Sequence, residues 1–304
     1  MKIIVTGANG FIGRNIVKKC IDLGHIVHGI SLHTNNLIDL LPNMTFTACD
    51  MSDIKSMKNQ IVEFAPDVII HCAWWGGNKF ADTNHQDQFH KNIPPLVQLM
   101  DIVCDSGASK FVGLGSAAEY GRNECSIKEF AACNPDNLYG ATKNMAKIYT
   151  EQICKQKYIN WLWVRPFYTY GPYDIKTRLI PKTIIACLKN EKIVLNDCEV
   201  HIDYFYIDDF VNSLYDLIVY GHEGIINICS GYPTSVKHVI NQIKNLTNSS
   251  SEIIFDPTLN RKDSPKWLVG NNYKLCLRLN PILRPVVLSD GLLRTINFYK
   301  NTMV

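Results

Sequence analysis

The feature that most narrows the possible folds lies in the first fifteen residues. Residues 1–5 (MKIIV) read as a buried strand, and TGANGFIGRN then leads into a helical stretch with glycines at intervals of three. A helix N-terminus exposes unpaired N–H groups and a partial positive charge, so it attracts phosphate wherever the backbone can come close. Glycine permits both the close approach and the tight turn. Gly7, Gly10 and Gly13, placed between strand and helix, therefore predict a cradle for the pyrophosphate of a dinucleotide, with Phe11 and Ile12 packing inward.

The first half keeps the same rhythm. Strands are predicted at 2–6, 25–30, 45–49, 67–71, 110–115 and 161–165, with helices at 11–23, 52–64, 85–106 and 138–156 between them. This alternation predicts an α/β fold with a doubly wound parallel sheet. After Arg165, prolines and glycines crowd 166–172. The pattern then loosens into helices near 180–189, 208–220, 235–246 and 289–299 and a strand at 225–229. The expected division is a dinucleotide-binding domain over 1–165, with 204–222 returning to it, and a smaller domain from 166–203 and 223–304. A length of 304 residues suits one large domain with an elaborated second lobe.

Composition excludes several function classes. Net charge is +3 with Lys and Arg scattered, so no nucleic-acid partner is expected. No apolar run reaches the roughly 18 residues that a membrane span requires. The N-terminus shows no leader pattern. Eleven cysteines are dispersed without a C-x-x-C pair, which predicts reduced thiols in a cytoplasmic protein and no metal site.

The end of the second predicted strand bears on the cofactor. An NAD site commonly offers a carboxylate about 20 residues beyond the glycines. Here His28-Gly29-Ile30-Ser31-Leu32-His33 has none, and the next acid is Asp39. Arg14, Ser31 and His33 are candidates to receive a 2′-phosphate, so NADP(H) is favoured and NAD(H) stands as the alternative. In ACDMSD, Asp50 is a candidate acceptor for the adenine amino group and Met51 for packing on the ring. Ser52 and Asp53 equally suit capping of the helix that follows.

Tyr139 and Lys143, in YGATK, stand four apart at the start of a helix and so share one face. A free phenol titrates near pH 10 and is a weak base at neutral pH. An adjacent ammonium lowers that value and fits Tyr139 for proton exchange with a hydroxyl or carbonyl. Ser116, in GLGSAAEYG, falls at the carboxyl end of the fifth strand, where doubly wound sheets bind ligands.

With these motifs in order, the sequence resembles the extended short-chain dehydrogenase/reductases, in the nucleotide-sugar epimerase/dehydratase/reductase group. The resemblance also takes in DVIIHCAWWG, Asn92, VRPFYTYGP, RLIP, DYFYIDDF, INICSG and RKDSPKWLVGNNYKL. It implies a Rossmann domain with a smaller substrate domain, and a homodimer built on the helices at 85–106 and 138–156. It further implies Ser116, Tyr139 and Lys143 as the catalytic trio, and Ala73 as a cofactor-lining residue. The group's 4,6-dehydratases place an Asp-Glu pair after the catalytic Ser/Thr, and its 3,5-epimerases a cysteine. This chain has Ala117 and Ala118, with Glu119 one position late.

What remains is hydride transfer with one proton. The leading expectation is NADP(H)-dependent reduction of the 4-keto group of a nucleotide-linked deoxysugar. An NAD-dependent C4 epimerase and a non-catalytic dinucleotide sensor stand beside it. Substrate contacts are expected from Trp74, Ser116, Ala117, Tyr168, Arg178 and Arg261, the two arginines at positions that meet the nucleotide diphosphate. Trp74 and Trp75 equally suit a packing role. Two departures stand out: Ile202 where the family carries an arginine, and Tyr168 where it carries an asparagine.

Overall fold

The computed structural model describes residues 1–76, 83–260, 266–279 and 285–302. Chain contacts divide it into two compact units. The first comprises Met1–Gly121, Ala132–Pro166 and Val211–Ile226; the second comprises Arg122–Ala131, Phe167–Phe210 and the described residues from Asn227 onward.

The first unit is built on β1 (Lys2–Thr6), β2 (Ile26–Ser31), β3 (Thr45–Ala48), β4 (Val68–His71), β5 (Lys110–Leu114) and β6 (Asn160–Pro166). They pair in parallel in the order β6-β5-β4-β1-β2-β3, and the strand Gly224–Ile228 adds outside β6 to make seven. The doubly wound parallel sheet expected from the sequence is present. Because helices cover both faces, the central strands are apolar throughout rather than alternating. Ile3, Ile4, Val5, Val68, Ile69 and Ile70 are all buried. Each such side chain contributes about 2 kcal/mol of apolar burial.

Helix α1 (Phe11–Asp22) buries Phe11, Ile16, Val17 and Cys20. It stops at Gly24, whose φ of +75° favours glycine; the Gly24 and His25 amides close the last turn on Ile21 and Cys20. Two expected helices are broken. The stretch 52–64 divides into a 3₁₀ segment, Met51–Met57, and α2 (Lys58–Phe64), with Asp53 out of helical geometry. The expected long helix at 85–106 is in fact α3 (Asp87–His90) followed by α4 (Ile93–Asp105). Pro94 and Pro95 carry no N–H for the preceding turn, so they suit the start of α4 and not a helix interior. Helix α5 (Leu138–Gln156) runs unbroken, with Asn137 capping the Gly140 amide at 2.8 Å.

In the second unit, the strand His201–Tyr206 pairs with Tyr168–Tyr170, Pro233–Ser235 and Trp267–Leu268. Buried Asp203 staples this unit. Its carboxylate accepts from the amide and hydroxyl of Ser230 (2.8 and 2.6 Å), the Gly231 amide (2.8 Å) and the Gly270 amide (3.3 Å). Burial raises its carboxyl above the ordinary range, and these bonds oppose the rise.

Candidate active site

The glycine turn has a steric explanation. Gly7 has φ +67°, and a Cβ there would lie 2.6 Å from the Ala73 amide nitrogen. A Cβ at Gly13 would strike the carbonyl oxygen of Gly7, and one at Gly10 would lie 3.1 Å from the same atom. Thr6 fixes the neighbouring loop: its hydroxyl meets His71 Nδ1 at 2.8 Å and accepts from the Ala73 amide at 3.4 Å. The turn is thus a bare-backbone cradle at the N-terminus of α1, and it fits a pyrophosphate. Phe11 is buried, whereas Ile12 is half-exposed rather than packed inward.

The residues expected around the adenosine end are placed as follows. Arg14 is buried, and its Nη2 donates to Asp39 Oδ2 at 2.6 Å. The acid that falls late in the sequence is therefore already joined to the arginine proposed for a phosphate. Ser31 ends β2 half-buried and His33 is exposed. Exposed Asp50 caps the 3₁₀ turn itself, accepting from the Ser52 amide and hydroxyl, both at 2.8 Å. These bonds hold its carboxyl below the usual range. Met51 packs on the core edge.

The serine turn lies at the end of β5. Ser116 begins a 3₁₀ turn, and its hydroxyl accepts from the Ala118 amide at 3.1 Å. Ala117 is buried beneath it. Helix α5 packs directly on this turn, since a Cβ at Gly140 would strike the Ala118 carbonyl oxygen. One turn further along α5, Lys143 Nζ donates to the Leu114 carbonyl at 2.7 Å. Burial pulls the Lys143 ammonium down to about 7, against the opposing pull of Glu119 and Cys72. His71, also fully enclosed, is pushed down to about 3 by burial and by Lys143.

Trp74 joins this group. Its ring lies 3.6 Å from Lys143 Nζ and stands edge-on to Tyr139 at 6.3 Å between centroids. Trp74 Nε1 donates to Gln88 at 3.1 Å. Asn92 clamps the adjacent backbone: its side chain accepts from the Trp75 amide at 2.7 Å and donates to the Trp75 carbonyl at 3.2 Å. The first unit therefore brings together Tyr139, Lys143 and Trp74, with Ser116 on the turn that α5 packs against. Gln88 did not emerge from the sequence, Asn92 appeared there only within the resemblance and Asp39 only as the next acid after the second strand, because their partners lie 14 to 25 residues away.

In the second unit, Arg178 Nη1 donates to buried Asp174 at 3.0 Å and the guanidinium lies 4.7 Å from the Tyr168 ring centroid. Tyr168 packs on Tyr204 with ring centroids 4.9 Å apart. Arg261 lies outside the described residues.

Comparison with known proteins identifies the family. The model of the NAD dependent epimerase/dehydratase family matches residues 3–229. The chain belongs to this family. Among curated relatives, it is 27% identical to dTDP-6-deoxy-L-talose 4-dehydrogenase (NAD(+)) of Aggregatibacter actinomycetemcomitans, over 80% of this chain and 89% of that one. It is also 27% identical to an uncharacterized UDP-glucose epimerase of Bacillus subtilis (strain 168), over 98% of both. Its fold is that of UDP-glucose 4-epimerase from Thermotoga maritima, with a TM-score of 0.91 over the full length of both chains at 23% identity. No helix among the described residues is long and apolar enough to cross a membrane.

Proposed function

We propose that this family member transfers a hydride at carbon 4 of a nucleotide-linked sugar, reducing a 4-keto group with Tyr139 as proton donor. One observation carries the reading: around Ser116, Tyr139 and Lys143 the turn offers only methyl groups at 117 and 118, and Glu119 is fully buried and ion-paired with Arg165. Removing a hydroxyl, or a proton from a neighbouring carbon, calls for a further acid or base at the turn. Hydride transfer needs one proton, which Tyr139 carries.

A nicotinamide dinucleotide bound on the Gly7, Gly10 and Gly13 cradle would supply or accept the hydride. In this reading, Phe11, Ile12 and Ala73 line its path, with Ser31, His33, Asp50 and Met51 at its adenosine end. Ser116 orients the sugar carbonyl through its hydroxyl. Lys143 holds the nicotinamide ribose, and its ammonium favours the phenolate left when Tyr139 gives up its proton. Trp74 and Ala117 bound the sugar; among the second unit's residues, Arg178 with Tyr168 is the pair suited to a nucleotide diphosphate, for which a guanidinium is well shaped.

NAD(H) is the cofactor we propose. The guanidinium that an NADP(H) reading relies on is paired with Asp39, and the talose dehydrogenase relative is named for NAD(+). A second reading, C4 epimerisation, is supported by the epimerase name of the relative matching 98% of the chain. Incubating purified protein with nucleotide-linked 4-keto sugars and NADH, and separately with the matching 4-hydroxyl sugars and NAD+, separates the two. Reduction consumes NADH in step with a product two hydrogens heavier. A 4-hydroxyl sugar returned at unchanged mass and a new retention time is epimerisation, and no change with any sugar of either form removes both readings.

Exposed Leu138, Met145 and Ile148 on α5 support a homodimer through that helix. Sedimentation velocity reads it as a species of twice the chain mass, against a monomer if the reading is wrong. Eleven free thiols are consistent with a cytoplasmic enzyme.

A further inference from the structure

The first charged residue after the serine turn begins, Glu119, lies beneath the site rather than in it. It is 0% exposed. Its Oε1 accepts from the Ser116 amide at 2.8 Å and from Trp163 Nε1 at 3.0 Å. Its Oε2 accepts from Arg165 Nε at 2.8 Å. Arg165 is buried as well, lies over the Tyr120 ring at 4.2 Å and donates to Cys133 Sγ at 3.0 Å. The two glycines before the serine make room for this layer: a Cβ at Gly115 would strike Glu119 Oε1 and Trp163 Nε1, and one at Gly113 would strike the Trp163 ring.

A buried carboxylate is costly unless paired and fully hydrogen-bonded, and a salt bridge in the core is seldom the most stable choice for that volume. An apolar core would hold the fold at least as well, so the network is better explained by what it positions. It reaches the site in two ways. Through the Ser116 amide it sets the turn from which the Ser116 hydroxyl projects. Through space it acts on Lys143: Glu119 Oε1 packs against Gly115, the residue after the Leu114 carbonyl that holds Lys143 Nζ at 2.7 Å, and the other neighbours of that ammonium are the Cys72 thiol, His71, the Tyr139 phenol and the Trp74 ring.

We propose that Glu119 is a positioning residue for the reaction, clamping Ser116 from below and supplying the negative charge that keeps Lys143 cationic, with Trp163 and Arg165 holding its carboxylate in place. This rests on the hydride-transfer reading above, and the test separates the two.

The variant Glu119→Gln keeps the side chain's shape and removes its charge. The proposal expects kcat to fall about 10-fold with KM for the sugar and for NADH within about twofold. It also expects the alkaline limb of the pH–rate profile to move to lower pH, since Lys143 loses the charge that raises its pKa. Hydrogen exchange over residues 113–121, which needs no substrate, speeds up at the Ser116 amide. Trp163→Phe removes one bond to Oε1 and leaves the Arg165 pair. It gives the same faster exchange and a smaller fall in kcat, with the pH limb unmoved, and it decides the matter alone if Glu119→Gln does not fold. Wild-type kcat and pH profile in Glu119→Gln, or unchanged exchange at Ser116 in the folded variants, overturn the proposal. Wild-type protein that converts no nucleotide sugar, with faster exchange in the variants, removes the reaction assigned above and leaves the clamp standing.

Discussion

Two glycine-rich turns, at the carboxyl ends of β1 and β5 on either side of β4, differ in what makes them bare. The turn after β1 is backbone throughout: Gly7 and Gly13 are bare because carbonyl and amide groups occupy the space a Cβ would need. The turn after β5 is bare because buried side chains crowd it from below, Trp163 at Gly113 and both Trp163 and Glu119 at Gly115. The first offers main-chain donors to any phosphate; the second sets a particular hydroxyl at a particular place. The first turn is thus bounded by main chain, its own and that of Ala73, and the second by side chains, two of which β6 delivers to Glu119 from 44 and 46 positions away.

Breaking the reactive side of this comparison gives the largest effects. Tyr139→Phe removes the proton donor we propose, and kcat for the proposed reduction is expected to fall by about 10³-fold with the cofactor still bound, as read by stopped-flow and NADH fluorescence. Lys143→Met also abolishes useful turnover, yet it stabilises the fold. In the folded chain the Lys143 ammonium titrates at about 7 against an ordinary 10.5. The unfolded chain therefore binds more protons across that window, and stability rises with pH through it. Lys143 is destabilising below pH 7 and relieved towards pH 10.5. The gain from methionine is accordingly expected to be largest below pH 7 and to shrink steadily towards pH 10, measured by urea unfolding. A gain that does not change with pH contradicts the assignment.

The cradle side is sharpened by Gly7→Ala. A side chain at φ +67° that also meets Ala73 is expected to cost about 2 kcal/mol of stability. NADH affinity falls about tenfold, near 1.4 kcal/mol. Calorimetry that finds NADH affinity intact shows that the cradle is not the pyrophosphate site. The smallest effect concerns cofactor choice. Asp39→Asn releases Arg14 and removes a nearby negative charge, so NADPH affinity is expected to rise about fivefold while NADH affinity holds. Equal changes for both cofactors place the 2′-position elsewhere.

Most of the fold was legible because parallel strands covered on both faces are continuous apolar runs, and each helix was bounded by glycine, proline or a cap. The failures have local causes. Proline at 94 and 95 outweighed the apolar periodicity that suggested one helix over 85–106, and Asn92 turned to hold the Trp75 backbone. The glycine triplet and the Tyr139–Lys143 spacing were readable because each lies within one element and its loop. The role of Glu119 was not, since the sequence showed only an acid one position late. Its meaning comes from Trp163 and Arg165 on another strand. Arg14 misled in the same way: it looks like a free phosphate ligand until Asp39 folds onto it.

The most direct test of the central claim follows a labelled hydride. NADH carrying deuterium at its transferable position is incubated with the protein and a 4-keto nucleotide sugar that it converts. The account predicts deuterium at carbon 4 of the product and its disappearance in Tyr139→Phe. Conversion with deuterium retained on the cofactor, or with solvent hydrogen entering a neighbouring ring carbon, would contradict it.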